Sequence, residues 1–275
     1  MLRGSFTRRP LGLAVVFVAA VAAACGDGVS FPRTAPGYYR LVSVNGQAPP
    51  YLSPPSMGPF VRITRGDLVL RPNGTFSHGI GGTVGFGFVV EGTYRLSTRE
   101  LVLEGTEPID DVVARVSGDS IIFTSPDFVG QPMTFTYRRT QAGSSTVPSD
   151  RYRLRSINGR TDEPLVEYDP TIGGQRSVGQ VLFDSLVFSD GVFFRRHRSE
   201  SAIGYIDGEV ATVSASEWTT WGAYESGPGW VVLEYYSPPP FSSIAPRDSL
   251  SIAGDTLVRR TSLITGIKEE RYTRP

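Results

Sequence analysis

The feature that most constrains the fold of this 275-residue chain is an internal repeat. The segment YRLVSVNG at residues 39–46 returns as YRLRSING at residues 152–159, with six of the eight positions identical. Shorter similarities follow each of these segments in the same order. They are a strand, an Asn-Gly or Asp-Gly turn with its returning strand, and a Gly-x-Tyr strand. Two copies of one unit of about 105 to 125 residues therefore make up most of the chain, and each is large enough to bury its own core.

Within each copy the residue pattern is that of β-strands. Apolar and polar residues alternate over short runs rich in Val, Ile, Phe, Tyr and Thr. The chain also contains 31 Gly and 21 Pro, which suits many short elements joined by turns. The pairs Asn73-Gly74 and Asp190-Gly191 predict hairpins, because a type I′ turn requires positive φ at both central residues. The sequence predicts an all-β fold of two tandem, small antiparallel β-barrels with about eight strands each, and two β-sandwiches are the alternative.

The repeat also predicts which face of the first strand of each copy is buried. One face keeps Tyr39 and Leu41 of the first copy as Tyr152 and Leu154 of the second, whereas the opposite face gains an arginine in the second copy. A face that keeps its residues while its neighbour changes is the buried one. These two tyrosines and two leucines are therefore expected to point into the cores.

The N-terminus has the pattern of an export signal. Three arginines precede an apolar run at residues 11–24, which ends in three alanines directly before Cys25, the single cysteine. The run is too short for a permanent membrane span. It resembles a bacterial lipoprotein signal, which implies a signal peptide over residues 1–24, acylation of Cys25, and a tether over residues 25–36. Ordinary secretory cleavage that leaves a free thiol is the alternative, and export by the general or the twin-arginine route stays open.

The remaining boundaries follow from the repeat and from composition. Residues 141–149 are rich in Gly, Ser and Thr and predict a linker, so the first barrel is expected over residues 37–140 and the second over residues 150–275. Without the three N-terminal arginines, 24 of the 27 basic residues remain against 27 acidic ones. This slightly acidic balance predicts no nucleic-acid partner.

Several residue types that carry chemistry are scarce. One cysteine and two histidines exclude a disulfide framework and a Cys-rich metal site. No nucleophile, base and orienting group occur together in a recognisable motif, so the sequence predicts a non-catalytic protein with no cofactor and no metal.

Three further segments have structural interpretations. The glycine-rich residues 79–87 lack the Lys-Ser/Thr of a phosphate-binding loop and are interpreted as a curved barrel strand. The run FFRRHR at residues 193–198 is interpreted as a solvated strand end. The Asp-Ser pairs at 119–120, 184–185 and 248–249 are interpreted as turn initiators.

The opening strand of the first copy resembles that of a known barrel family. The segment GYYRL at residues 37–41 resembles the Gly-x-Trp opening of lipocalin-like barrels, with Tyr in place of Trp. Together with the GTF hairpin at residues 74–76 and the Gly-x-Tyr strands, it is similar to the lipocalin-like domains of bacterial envelope lipoproteins. This resemblance implies a barrel and an exported location, and it implies no particular ligand.

A long Pro-rich connection provides a candidate ligand site. Residues 46–66 have a counterpart at residues 159–179, and long loops at equivalent points can cover a barrel mouth. The candidate ligand or lid residues on the first loop are Tyr51, Leu52, Met57 and Phe60.

A group of tryptophans in the second copy provides a candidate interaction surface. Trp218, Trp221 and Trp230 lie close together in sequence, with a larger core or packing against the first copy as the alternative. The sequence therefore predicts a non-catalytic lipoprotein, anchored in the bacterial cell envelope, that binds a small apolar or amphipathic ligand in a barrel mouth. The alternative is a structural or protein-interaction module of the envelope without a ligand cavity.

Overall fold

The structure, a computed structural model, describes residues 36–52, 62–82, 87–97, 100–106, 112–126, 131–141, 150–236, 247–263 and 266–275. Within these ranges the chain forms nineteen β-strands and no helix. All strands that pair do so in an antiparallel manner with neighbours of their own copy. The two copies of the repeat are thus two separate sheets.

The first sheet closes into a barrel. Its strands are β1 (Gly37–Val44), β2 (Tyr51–Leu52), β3 (Arg62–Leu70), β4 (Thr75–Gly82), β5 (Gly87–Leu96), β6 (Glu100–Gly105), β7 (Val112–Ser117), β8 (Ser120–Pro126) and β9 (Pro132–Thr140). Each strand from β3 to β9 pairs with the next, and β1 closes the ring by pairing with both β9 and β3. The short β2 pairs with the start of β3.

The second sheet closes in the same way. Its strands are β10 (Arg151–Ile157), β11 (Leu165–Tyr168), β12 (Thr171–Ile172), β13 (Gln175–Ser189), β14 (Phe193–Ile206), β15 (Glu209–Gly227), β16 (Trp230–Tyr235), β17 (Arg247–Ala253), β18 (Thr256–Leu263) and β19 (Gly266–Thr273). Strand β10 pairs with both β19 and β13, and β11 and β12 pair with β13. The predicted pair of eight-stranded barrels is confirmed, and the sandwich alternative is wrong because both sheets close.

The repeated Asn-Gly pair has the same role in both barrels. Asn45 and Asn158 adopt φ of 50° and 51°, in the left-handed region that Asn tolerates. The side-chain oxygen of Asn45 accepts a hydrogen bond from the backbone N–H of Thr134 at 2.8 Å, and that of Asn158 accepts one from Glu269 at 2.8 Å. Each Asn therefore ties the turn after the first strand to the last strand of its barrel.

The two predicted hairpin turns differ. Asp190 and Gly191 both have positive φ, at 55° and 68°, as the type I′ prediction requires. At the other hairpin Gly74 has a φ of 81°, but the φ of Asn73 is not positive. The N–H of Gly74 donates to the carbonyl of Arg71 at 3.1 Å, so the turn is built on Pro72, whose ring holds φ at about −65°. The type I′ prediction for this hairpin is wrong because proline sets the turn.

The two barrels contact each other through their outer surfaces. The buried apolar cluster between them contains Tyr38, Val69, Val192, Phe193, Ala223 and Tyr236. The ring of Tyr236 lies directly on β4, where a Cβ added to Gly79 would be 2.2 Å from Cε2 of the ring and one added to Gly81 would be 2.5 Å from Cδ1. These two glycines, interpreted from sequence as strand curvature, leave the room in which this ring of the other barrel packs.

A buried carboxylate lies beside this apolar contact. The hydroxyl of Tyr236 donates to Asp67 at 2.7 Å. Asp67 is fully buried and also accepts from the Tyr38 hydroxyl and from Nε of Arg65, the latter at 2.6 Å. The guanidinium of Arg65 also donates a hydrogen bond to the carboxylate of Glu234 in the second barrel, at 3.1 Å. Because donors from both barrels satisfy one carboxylate, the polar contacts fix the orientation that the apolar packing allows.

Candidate functional site

The interiors of the two barrels are alike at one end. Strand pairing identifies equivalent positions, because Tyr39 pairs with Leu68 and Tyr152 pairs with Leu186. All four residues are buried, and so are Leu41 and Leu154, which confirms that this face of each first strand points inward. Both copies therefore keep the same Tyr and Leu packing at this end.

At its other end the first barrel is filled by rings. Nε2 of His78 lies 2.7 Å from the hydroxyl oxygen of Tyr137, with which it shares a hydrogen bond. The imidazole meets the ring of Phe123 edge-on at 5.5 Å, and Phe123 stacks on Phe135 at 5.4 Å. Burial lowers the pKa of His78 to about 4, so the imidazole is neutral near neutral pH. Packed, uncharged side chains thus fill this end of the barrel.

The second barrel has charged groups at the equivalent positions. By strand pairing these are Arg196 for His78, Arg259 for Phe123 and Glu270 for Phe135, while Tyr272 keeps the tyrosine of position 137. Asp184 takes the position of Gly66, where a Cβ would lie 2.7 Å from the Tyr137 hydroxyl oxygen. The first barrel therefore has no room for a carboxylate at this point. The same end of the repeat is apolar in one copy and ionic in the other.

Arg196 lies at the centre of this ionic end. It is 2 % exposed, and it donates to both carboxylate oxygens of Asp184 at 3.1 and 2.6 Å. It also donates to the hydroxyl oxygens of Tyr235 at 3.2 Å and Tyr272 at 3.0 Å. The ring of Trp218 lies 5.5 Å from the guanidinium carbon. Four side chains from four different strands are thus held around one buried cation.

Arg198 extends the network toward the barrel mouth. Its guanidinium contacts Glu167 at 2.6 Å, Glu200 at 2.8 Å and Glu270 at 3.3 Å. Lys268 contacts Glu167 and lies 3.2 Å from Glu270. The carboxylates of Glu167 and Glu200 are the partly exposed members of this group. They form the boundary between the filled interior and solvent.

The neighbouring cations keep Glu270 and Glu167 ionised. Burial alone would raise the pKa of Glu270, but the charges of Arg259 and Arg196 outweigh it and hold that pKa well below its usual range. Burial also acts to raise the pKa of Glu167, and Arg198 and Lys268 lower it. The end of the barrel is therefore a set of ion pairs rather than a set of neutral acids.

Three strands of the second barrel extend past this ionic end. Strands β13, β14 and β15 have 15, 14 and 19 residues, whereas β3, β4 and β5 have 9, 8 and 10. Side chains alternate along a strand, so the face that points into the barrel continues along the extension. Three rows of paired residues cross this face: Val181, Glu200 and Ser216; Gly179, Ala202 and Ser214; Ser177, Gly204 and Thr212. Most of these side chains are small.

The small side chains leave a hollow above the ionic network, which we name the trough. A cavity of about 390 Å³ is lined there by Glu167, Tyr168, Gly179, Glu200, Ala202, Ser214 and Ser216, among others. The Tyr168 ring lies on Gly179, where a Cβ would be 2.1 Å from Cε1, and this residue is 44 % exposed. The trough therefore combines one accessible aromatic ring, two carboxylates and several hydroxyl groups.

Comparisons with known proteins add little to this geometry. No protein-family model matches the sequence, and no curated protein matches it. Among solved structures, intact Ap-TbpB with its N and C lobes is similar at 6% identity, over 88% of this chain and 78% of that chain, with a TM-score of 0.23. This similarity is too low to support an inference about fold or function. Both therefore rest on the residues of this chain.

Two kinds of feature are absent from the described residues. Among them, no helix is long and apolar enough to cross a membrane. In the same ranges, no group of three or more His, Cys, Asp and Glu side chains is arranged to hold a metal ion. The fully buried carboxylates of the second barrel, Asp184 and Glu270, are instead paired with Arg and Lys.

The residues predicted for the Pro-rich loop have separate surroundings. Tyr51 is buried in the first core, and its hydroxyl accepts a hydrogen bond from the Asn45 side chain at 3.0 Å. Leu52 is 55 % exposed. Met57 and Phe60, as well as Cys25, lie outside the described residues.

The three tryptophans have three different environments. Trp218 faces the barrel interior over Arg196, and Trp221 packs against the apolar cluster between the barrels. Trp230 lies over Gly227 at the β15–β16 turn and is 44 % exposed. The structure does not bring these rings together into one surface.

Sequence interpretation missed the ionic end. The run at residues 193–198 is not a solvated strand end, because Arg196 and Arg198 are buried. Asp184 and Asp248 are not turn initiators, because they lie on strands and contact these buried arginines or Arg259. The available signal was alternation with period two, which places Arg196 and Arg198 on the face of the buried Phe194.

Proposed function

We propose that this chain is an exported, lipid-anchored and non-catalytic binding protein of the cell envelope, and that its second barrel binds a small amphipathic ligand in the trough. The signal-like N-terminus and the position of Cys25 support export and anchoring. In this proposal residues 37–140 form a lipocalin-like supporting barrel, residues 141–149 a linker, and residues 150–275 the binding barrel.

One observation carries the proposal, namely the divergence of the two copies at a single end. The first barrel has packed rings and short strands there, and the second has ion pairs and long strands. Buried ion pairs are often no more stabilising than apolar packing of the same volume. A change from apolar to ionic is therefore poorly explained by stability, and it supports a role for this end in recognition.

The groups in the trough define the class of ligand. The accessible ring of Tyr168 offers a surface for an apolar face. Glu167 and Glu200 offer carboxylate oxygens, which accept hydrogen bonds. A fitting ligand has one apolar face and carries hydroxyl or ammonium groups. It lies above the barrel rather than inside it, because the side chains around Arg196 fill the interior.

The same groups favour binding over catalysis. The pKa of Glu167 is lowered by Arg198 and Lys268 against the effect of burial. A general acid or base works best when its pKa lies near the working pH. A carboxylate held ionised by two cations suits recognition of a donor group better than proton transfer.

Native mass spectrometry of the protein purified from its own envelope tests this function. Ser214→Phe places a ring in the trough, whereas Val213→Phe, at the preceding residue of β15, places the same ring on the opposite face. We expect a bound small molecule on the unmodified protein and on Val213→Phe, and at least about tenfold less on Ser214→Phe. No bound molecule on the unmodified protein, or equal amounts on both variants, would contradict the trough as the site. The same spectra report acyl mass at Cys25.

A further inference from the structure

Among the described strands, β15 has a partner along only part of its outer edge, and we name the remainder the open edge. Strand β14 pairs with β15 from end to end, but β16 pairs only with residues 222–227. Over residues 212–219 no other described strand pairs with β15. The counterpart strand β5 is shorter, and β6 begins to pair at Gly92. The second barrel thus has a longer strand edge without a described partner than the first barrel, where β6 leaves only residues 87–91 of β5 unpaired.

The hydrogen bonds around this edge show which backbone groups face outward. The carbonyl of Trp221 accepts from the N–H of Tyr236 on the β16 side at 3.0 Å, whereas the N–H of Tyr224 donates to Val192 on the other side at 2.7 Å. The register between β14 and β15 is continuous over residues 212–223. The backbone N–H and C=O groups of successive residues therefore point alternately to β14 and to the open edge. The N–H and C=O groups of residues 213, 215, 217 and 219 therefore point to the open edge.

The side chains along this edge do not discourage pairing. Residues 210–216 read VATVSAS, which contains β-branched and small residues and no charge or proline. Exposed edges are usually protected by charged residues, prolines or short strand length. Here the nearest charged residues of the strand are Glu209 and Glu217. An edge that contains seven consecutive residues without charge or proline is a template for another strand.

We propose that this edge pairs antiparallel with the same edge of a second copy of the chain. In these self-pairings one residue lies on the two-fold axis and its neighbours oppose each other across it. When residue 214, 215 or 216 lies on the axis, the pairs nearest to it are formed by Ser, Ala, Val and Thr or by one of these with Glu217 or Trp218, and no Glu opposes another Glu. A register centred on Ala215, for example, opposes Ser214 with Ser216 and Val213 with Glu217. A register centred on Val213 opposes Glu209 with Glu217, and one centred on Glu217 opposes that residue with itself; such like-charge pairs are unfavourable. Small side chains and compatible charge thus allow the strand to pair with itself.

This pairing has a geometric consequence for the trough. A two-fold axis that relates antiparallel neighbours runs perpendicular to the sheet, so it keeps each face of the sheet on its own side. Strands β13 to β15 of both copies would form one continuous sheet, with both troughs on the same face. The contact is small, and association is therefore expected to be weak and concentration-dependent.

Analytical ultracentrifugation of the protein carrying Cys25→Ser, which removes any acyl chain, tests the dimer. Over a concentration series we expect a monomer–dimer equilibrium. Val213→Pro deletes an N–H that faces the open edge and leaves the ladder to β14 intact, so this variant is expected to stay monomeric. Val213→Thr keeps the N–H and is the matched control, which is expected to dimerise.

Two results would overturn the inference. One is a monomer at every concentration for the protein with Val213 intact, and the other is an unchanged dimer in Val213→Pro, which would place the contact elsewhere. If tryptophan fluorescence shows that Val213→Pro does not fold, Ala215→Pro removes the neighbouring outward N–H and answers the same question. This measurement does not depend on ligand binding in the trough, so it tests the dimer independently of the proposed function.

Discussion

Replacing Arg196 with Leu is expected to destabilise the second barrel by about 3–5 kcal/mol, the usual cost of removing one partner from a buried ion pair. The substitution removes both hydrogen bonds to Asp184 and those to Tyr235 and Tyr272, and it leaves a buried excess of negative charge. All three tryptophans lie in the second copy. Tryptophan fluorescence during denaturant unfolding therefore reports the second barrel directly.

The neighbouring arginine provides the control for this prediction. Arg195 lies on the same strand but faces outward, with its guanidinium carbon 5.3 Å from the centre of the Trp221 ring. Arg195→Leu is expected to change the free energy of unfolding by less than about 1 kcal/mol. Equal destabilisation by the two substitutions would contradict the assignment of Arg196 to a buried network.

The second large effect concerns the contact between the barrels. Tyr236→Ala is expected to destabilise the protein by about 3–5 kcal/mol, the range for loss of a buried aromatic ring. Gly79→Ala alone is expected to cost about 1–3 kcal/mol, because its methyl group overlaps the ring of Tyr236. In the double variant the methyl group has room, so the glycine substitution should add almost nothing.

A double-mutant cycle measures this coupling. The free energies of unfolding of the two single variants and the double variant, followed by far-UV circular dichroism and tryptophan fluorescence, give the interaction term. We expect the double variant to be about as stable as Tyr236→Ala alone. If the costs of the two substitutions simply add, the ring does not rest on Gly79 and the described contact between the barrels is wrong.

The parts of the fold that sequence could predict are those encoded by local pattern and by repetition. Tyr39 and Leu41 keep their identity in the second copy, which fixed the inward face of the first strand without any structure. Asp190 and Gly191 specify their hairpin because the two residues alone determine the turn. The pair Asn73-Gly74 misled because Pro72, one residue earlier, controls the backbone there.

The parts that sequence could not predict depend on residues that are distant in the chain. The sequence around Gly79 does not distinguish it from other strand glycines. Its role depends on the ring of Tyr236 in the other barrel, which packs on it. Alternation places Arg196 on the face of Phe194, but the adjacent Phe193 makes the opposite face equally apolar, so the local sequence does not say which face is buried. The trough exists because β13 to β15 extend beyond the other strands of the barrel. Strand length is poorly encoded by local sequence pattern.

Residue-resolved amide hydrogen exchange at the closing strands tests the central claim that each copy closes into its own barrel. In the structure β1 pairs with β3 on one side and with β9 on the other, and β10 pairs with β13 and β19. We predict slow exchange at every amide of residues 38–40 and at the neighbouring amides of Tyr152 and Arg153, because a closed sheet leaves neither side of these strands open. Alternating fast and slow exchange along these residues, as along the edge of an open sheet, would contradict the barrels and the account built on them.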